Sequence, residues 1–273
     1  MPLQPIAKVN AKMDRTRTKW GDLTEYELVA GTNIVEEGMW MIAGGAGSVQ
    51  QVTTSAGADQ ELPMGVAWEG KIEALTFTEF ESGTVPAAPG PYTFQLNHAS
   101  MVANTYSGFA DAFVWDTTGA TELEVAGAAV AATSVTLGAA TGIITFAAAD
   151  AGHAFFVRYR YNLTAAESRE LMKSSPVGRD SGDTFDKVMV MHGHATVYTT
   201  MFDCDAAWAL NVQDYGDPTS STPLATAPVL GAGGVLTVRG NNNNGTHIGT
   251  VVELPSATSP FLGVEYDTSI VIM

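Results

Sequence analysis

Gly38-Met39-Trp40-Met41-Ile42-Ala43-Gly44-Gly45-Ala46-Gly47-Ser48-Val49-Gln50-Gln51-Val52 decides how the chain reads. Two short apolar runs flank a turn built almost entirely of glycine, and neither run is long enough to form a helix with a buried stripe. The same pattern continues on both sides. Glu27-Leu28-Val29 leads to Ala30-Gly31, and Leu62-Pro63-Met64-Gly65 precedes Val66-Ala67-Trp68. Short runs between regularly spaced glycine turns predict a small closed β-barrel over residues 21–85. The glycines supply the positive φ that tight turns need. Ile72 to Phe80 reads as a further strand of that barrel.

Moving outward, Ser82-Gly83-Thr84-Val85-Pro86-Ala87-Ala88-Pro89-Gly90-Pro91 carries three prolines and two glycines, which predicts a linker and a module boundary. Residues 92–173 predict a β-sandwich-like middle module. Phe113 and Trp115 alternate with Ala112 and Val114. Val135 with Leu137 and Ile144 with Phe146 mark two half-buried strands. Phe155, Val157, Tyr159 and Tyr161 share one face of a strand, and Phe156, Arg158 and Arg160 share the other. The small-residue stretch Ala126 to Ala132 reads as strand and loop. One short connecting helix is predicted over 164–173, opened by the capping box Thr164-Ala165-Ala166-Glu167 and stopped before Pro176.

Residues 188–273 return to strands and predict a C-terminal β-barrel-like module. Val188 to Tyr198 alternates, with Met189, Met191, Ala195 and Val197 on one face. Gly231 to Val238, His247 to Leu254 and Leu262 to Tyr266 follow, and Asn241-Asn242-Asn243-Asn244-Gly245 predicts a hairpin turn. Ile270-Val271-Ile272-Met273 is an apolar strand that needs a partner to avoid aggregation. Leu62 to Val66 and Phe261 to Val264 share a Leu/Gly-Val plan, consistent with a duplicated barrel. The fold class is therefore mainly β: barrel, sandwich-like module and barrel-like module, joined by one helix.

Charge is distributed unevenly. The first nineteen residues hold Lys8, Lys12, Arg15, Arg17 and Lys19 against the single acid Asp14. The remainder holds eight Lys or Arg against twenty-eight Asp or Glu, and the whole chain has a formal charge of −16. Residues 1–20 lack a period and contain Pro2 and Pro5, so they predict an extended arm ordered on contact. A basic arm on an acidic body suits a protein that clips onto a neighbour, and Lys8, Lys12, Arg15, Arg17 and Lys19 are its candidate partner-binding residues. Charged residues make up only 15% of the chain, against about 25% in an ordinary domain, as a protein buried among partners tolerates. The acidic body argues against nucleic acid as its partner, since phosphate neutralisation needs a basic face. No run of eighteen apolar residues predicts a membrane span, and the first residues show no secretory signal. Cys204 stands alone, so no intrachain disulfide forms and synthesis in a reducing cytosol is expected.

Sites of chemistry are sparse. His192-Gly193-His194 is the best metal candidate, because period-two spacing on one strand puts both imidazoles on one face, with His98, His153, His247 or Cys204 as further ligands. The set lacks an acidic or thiol ligand at diagnostic spacing, and histidines buried in a core or interface are the plainer reading. Cys204 lies between Asp203 and Asp205, whose charges discourage the thiolate. Asp203, Asp205, Asp214 and Asp217 lack the glycine that a calcium loop requires. No phosphate-binding loop, nucleophile elbow or dinucleotide fingerprint is present. Trp20, Trp40, Trp68, Trp115 and Trp208 suit core anchors better than a sugar-binding face. No enzyme activity, no metal and no cofactor is expected.

The segment Gly31 to Trp40, followed by Gly47-Ser48-Val49 and Met64-Gly65-Val66-Ala67, resembles the small barrels of tailed-bacteriophage capsid decoration (cement) proteins. Gly142 to His153, ending in Val157-Arg158-Tyr159, is similar to a turn-and-strand phrase of phage virion proteins. Gly249 to Glu253 with Leu262-Gly263-Val264 resembles the second half of such barrels. The resemblance covers about half the chain. It implies a virion protein, made in the host cytoplasm, that binds the capsid exterior, often as a homotrimer. Its partners would be the major capsid protein and its own copies. The alternatives are a tail, baseplate or fibre-associated protein, or a glycan-binding adhesion module. Simple decoration proteins are nearer one barrel in size, and the additional modules depart from that plan.

Overall fold

A computed structural model describes residues 13–19, 21–29, 35–45, 48–51, 62–68, 76–102, 111–118, 125–126, 135–164, 166–167, 187–203, 228–230, 234–238 and 248–268. Within them the protein is mainly β. A closed barrel is built from β1 (Asp22–Leu28), β2 (Trp40–Gly45), β3 (Ser48–Gln51), β4 (Pro63–Ala67) and a late strand, β12 (Lys187–His192). β12 sits between β1 and β4, pairing Asp22 with His192 on one side and Val66 with Met191 on the other. A parallel contact of β1 with β3 closes the ring. Gly65 shows why the ring can be this tight. Its φ is +140°, and a Cβ there would lie 2.1 Å from the Met191 carbonyl oxygen of β12.

The chain supplies the barrel differently from the sequence expectation. β5 (Thr76–Thr84) leaves the barrel and pairs along its whole length with β11 (Ala154–Asn162). Ser82, Gly83 and Thr84, expected in a linker, are ladder residues opposite Phe156, Phe155 and Ala154. Their stretch has no proline before Pro86, so nothing interrupts the ladder there. Gly83 is needed because the Phe94 and Phe155 rings close over it, 2.8 and 2.9 Å from where a Cβ would sit.

β5 and β11 belong to a four-stranded sheet with β7 (Ala112–Asp116) and β8 (Val125–Ala126). A three-stranded sheet of β6 (Thr93–Gln95), β9 (Thr136–Gly138) and β10 (Ile143–Thr145) accompanies it. Between them lies a core of Phe77, Ala112, Val114, Ile144, Phe146, Phe155, Val157, Tyr159 and Tyr161, as the alternation in β7 and β11 predicts. Thr164 and Glu167 form the expected capping box: the Thr164 N–H and hydroxyl donate to Glu167 Oε2, and the Glu167 N–H donates to Thr164 Oγ1. The rest of the predicted helix, like most of Ala126 to Ala132, lies outside the described residues.

Towards the C-terminus, β13 (His194–Thr199), β16 (Thr250–Glu253) and β17 (Leu262–Asp267) form a three-stranded antiparallel sheet. β14 (Pro228–Leu230) and β15 (Leu236–Val238) form a ribbon beside it. Asn241 to Gly245 and Ile270 to Met273 lie outside the described residues. The alternating run from Val188 to Tyr198 is two strands, because Gly193, at φ +81°, turns the chain from the barrel into this sheet.

β2, β4 and β12 bury side chains on both of their sides, whereas β1 is polar and exposed over most of its length. Leu28, Met41, Val49, Ala67, Val188 and Val190 belong to one core cluster. Trp40, Ile42, Val66 and Met191 belong to another, with Phe113 and Trp115 of the four-stranded sheet and Ala195, Val197, Val264 and Tyr266 of the C-terminal sheet. Trp40 meets Tyr266 edge-on, with ring centroids 4.7 Å apart. Barrel, sandwich and C-terminal sheet thus share one apolar junction.

Candidate functional site: a basic strap on the C-terminal sheet

Met13 to Lys19 do not extend away from the molecule. They lie along the edge of β13, with bridges from Met13 to Thr199 and from Lys19 to Thr196. The Asp14 N–H donates to the Tyr198 carbonyl at 2.8 Å. Lys19 and Thr196 exchange hydrogen bonds at 3.0 and 2.9 Å. Asp14 shapes the loop between these anchors: its Oδ1 accepts from the Thr16 hydroxyl and from the N–H groups of Thr16 and Arg17. The strap covers an edge of the C-terminal sheet that would otherwise present open ladder groups.

Both strap arginines are engaged within the chain. Arg15 donates through Nε to Glu37 at 2.9 Å and through Nη2 to the Trp68 carbonyl at 2.6 Å, and its guanidinium lies over the Trp68 ring at 5.0 Å. Arg17 donates to Ser259 Oγ at 2.7 Å, pairs with Glu253 Oε2, and stacks over Tyr198 at 3.9 Å. The Ser259 hydroxyl in turn donates to Glu253 Oε1 at 2.8 Å, which fixes the acceptor. Partial burial alone would lower the Arg17 pKa, but its bonds to Glu253 and Tyr198 outweigh that and raise it.

Of the five residues expected to bind a partner, then, Arg15 and Arg17 hold the strap to its own body. Lys19 pairs through its backbone and leaves its side chain exposed. Lys8 and Lys12 lie outside the described residues. The groups that receive the arginines, Glu37, Trp68, Tyr198, Glu253 and Ser259, were not legible beforehand. Glu253 stands 236 positions from Arg17, and nothing local in the chain marks such a pairing.

The remaining candidates separate. Gly193 ends the strand that was to align His192 with His194. His192 Nε2 meets Thr24 Oγ1 at 2.6 Å, whereas His194 Nε2 pairs with Glu265 at 2.8 Å. His98 stacks on Tyr161 at 3.9 Å. His153 joins two carboxylates: its Nδ1 is 2.8 Å from Asp116 Oδ2, with Asp150 beside them. Trp40 and Trp115 are core, and Trp68 packs beneath Arg15. Trp20, Trp208, His247, Cys204, Asp205, Asp214 and Asp217 lie outside the described residues, and Asp203 is fully buried.

The four-stranded sheet is fastened to the end of β13 as well as packed beside it. Arg158 and Arg160, on the outer face of β11, pair with the buried Asp111 at 3.2 and 2.9 Å. Arg158 also donates to the Thr200 carbonyl, at the end of β13, and lies 4.6 Å over the Phe202 ring. Among the described residues, the strap and the Asp111 cluster clamp separate segments of the chain together. A comparison with known proteins finds no matching family model, no matching curated protein and no matching solved structure.

Proposed function

We propose that this chain is a structural virion protein of a tailed bacteriophage, which binds the outer surface of the head and reinforces it by bridging adjacent capsomers. The observation that carries this proposal is the division of charge together with the strap. The body is strongly acidic, five of the thirteen Lys and Arg residues lie before residue 20, and Met13 is anchored on β13. Lys8 and Lys12 therefore precede a fixed point, and a stretch of twelve extended residues spans up to about 40 Å. On this proposal Arg15 and Arg17 hold the base of the arm, while Lys8, Lys12 and Lys19 meet an acidic capsid or a second copy. Many weak contacts on symmetry-related sites, summed by trimer avidity, supply the reinforcement.

The test is co-sedimentation of the full chain with undecorated heads across a salt series, followed by imaging of the decorated particle. Occupancy is expected to fall as salt rises. The double variant Lys8→Glu/Lys12→Glu should bind about tenfold more weakly at low salt. Additional density should appear over the shell. Salt-independent binding would remove the arm from the mechanism. Density confined to the tail would replace capsid reinforcement with a tail role, and no binding to any part of the particle would overturn the proposal.

A further inference from the structure

Apart from the strap, Asp116, Asp150 and His153 converge from three segments: the last residue of β7, the end of a 3-10 turn (Ala148–Asp150), and the residue before β11. One ligand atom from each lies within 4.8 Å of the other two. We propose that these three side chains bind a divalent transition cation, Zn2+ or Mn2+, with water completing the coordination.

The two carboxylates are already oriented by backbone amides. The Thr118 N–H donates to Asp116 Oδ1 at 2.7 Å, which turns Oδ2 to the imidazole. The Ala147 N–H donates to Asp150 Oδ2 at 3.1 Å. Supports of this kind fix the first ligands of a metal and hold them in their binding rotamers. The segments themselves are tied together. The Val85 N–H donates to the His153 carbonyl at 2.9 Å, the Gly152 N–H to the Val85 carbonyl at 3.1 Å, and the Ala154 N–H to Thr118 Oγ1 at 2.8 Å.

A separate observation points to a ligand. Asp150 is only 8% exposed, yet among the described residues its carboxylate receives a single hydrogen bond, from the Ala147 N–H to Oδ2. Its Oδ1 is open to an incoming ligand, and the negative charge of a largely buried carboxylate favours a cation there. Asp116, 6% exposed, brings a second carboxylate to the same place. Metal bonds of about 2.1 Å put neighbouring ligand atoms about 3 Å apart in an octahedral site and about 3.4 Å apart in a tetrahedral one. The 2.8 Å separation of His153 Nδ1 from Asp116 Oδ2 is close to the former. The ion would take the place of the hydrogen bond between these two atoms, with the imidazole binding as its Nε2–H tautomer. An imidazole with two carboxylates suits Zn2+ or Mn2+ better than Mg2+, which favours oxygen alone. His153, 34% exposed, leaves one side open to water and to entry.

The experiment strips the full chain with a chelator and titrates it by calorimetry with Zn2+, Mn2+ and Mg2+, measuring retained metal after gel filtration. One Zn2+ or Mn2+ per chain is expected, with much weaker binding of Mg2+. Asp150→Asn and His153→Gln should each weaken binding about tenfold or more. Bound Mn2+ should broaden the amide resonances of Ala154 and Thr118 first. No retained ion, equal binding by both variants, or broadening centred elsewhere would overturn the proposal. If Asp150→Asn does not fold, His153→Gln, at a half-exposed position, decides the outcome alone.

Discussion

Three buried phenols give single residues a measurable role. Burial raises the pKa of Tyr159, whose hydroxyl donates to Glu81, and the neighbouring carboxylate adds to the effect. Burial raises Tyr161, with Glu167 and Glu79 contributing, and burial alone raises Tyr266, whose hydroxyl donates to the Met191 carbonyl. In each case the folded state keeps the proton after an unfolded chain would release it near pH 10. Their stabilising contribution is therefore complete below about pH 10 and declines as pH rises beyond it, by about 1.4 kcal/mol per pH unit for each phenol. Denaturant midpoints from pH 8 to 11 should show the decline, with tyrosinate absorbance appearing only as the chain unfolds. Tyrosinate formed in a chain that is still folded would show that these phenols reach water.

At the level of elements, the strap is the part whose strength can be read directly. Replacing Arg17 with Ala removes its pairing with Glu253, its bond to Ser259 and its stacking on Tyr198. Because the guanidinium is partly exposed, the expected loss is only about 1 kcal/mol, shrinking with added salt. Amide exchange at Asp14 and Lys19 should accelerate about tenfold, since the bonds to β13 would open independently of the body. Unchanged exchange would mean that the backbone ladder holds the strap without the arginine. Strand identity was largely legible in the sequence, because the alternation in β7, β11 and β17 is local and each face is decided by its own residues. Strand partnership was less so. β5 and β12 look like other short apolar runs, and their partners are set by distant strands, with Gly83 fitting beneath Phe94 and Phe155 and Gly65 against Met191. The candidate site was legible as a cluster of charge but not as a strap, since its acceptors are distant in sequence.

For the molecule as a whole, the shared junction predicts strong coupling between its sheets. Asp111 lies between Arg158 and Arg160, all three buried, and Arg158 reaches on to the Thr200 carbonyl. Asp111→Ala would leave two guanidinium groups without that counter-charge, a loss of about 3–5 kcal/mol. Because the cluster ties β11 to the end of β13, one cooperative transition at a lower midpoint is expected in both calorimetry and near-UV circular dichroism. A separate early transition would show that the sandwich melts independently. The proposed capsid role would draw on this coupling, as a protein that bridges capsomers must transmit load from one contact to the next.

The late origin of β12 also governs how the molecule is made. While the ribosome is still adding residues 68–186, β1 and β4 have no strand between them, and their facing edges stand open in a nascent chain. Ring closure must wait for Lys187 to His192 to emerge, so any stall or nick upstream of that point yields a sticky half-cylinder prone to clumping.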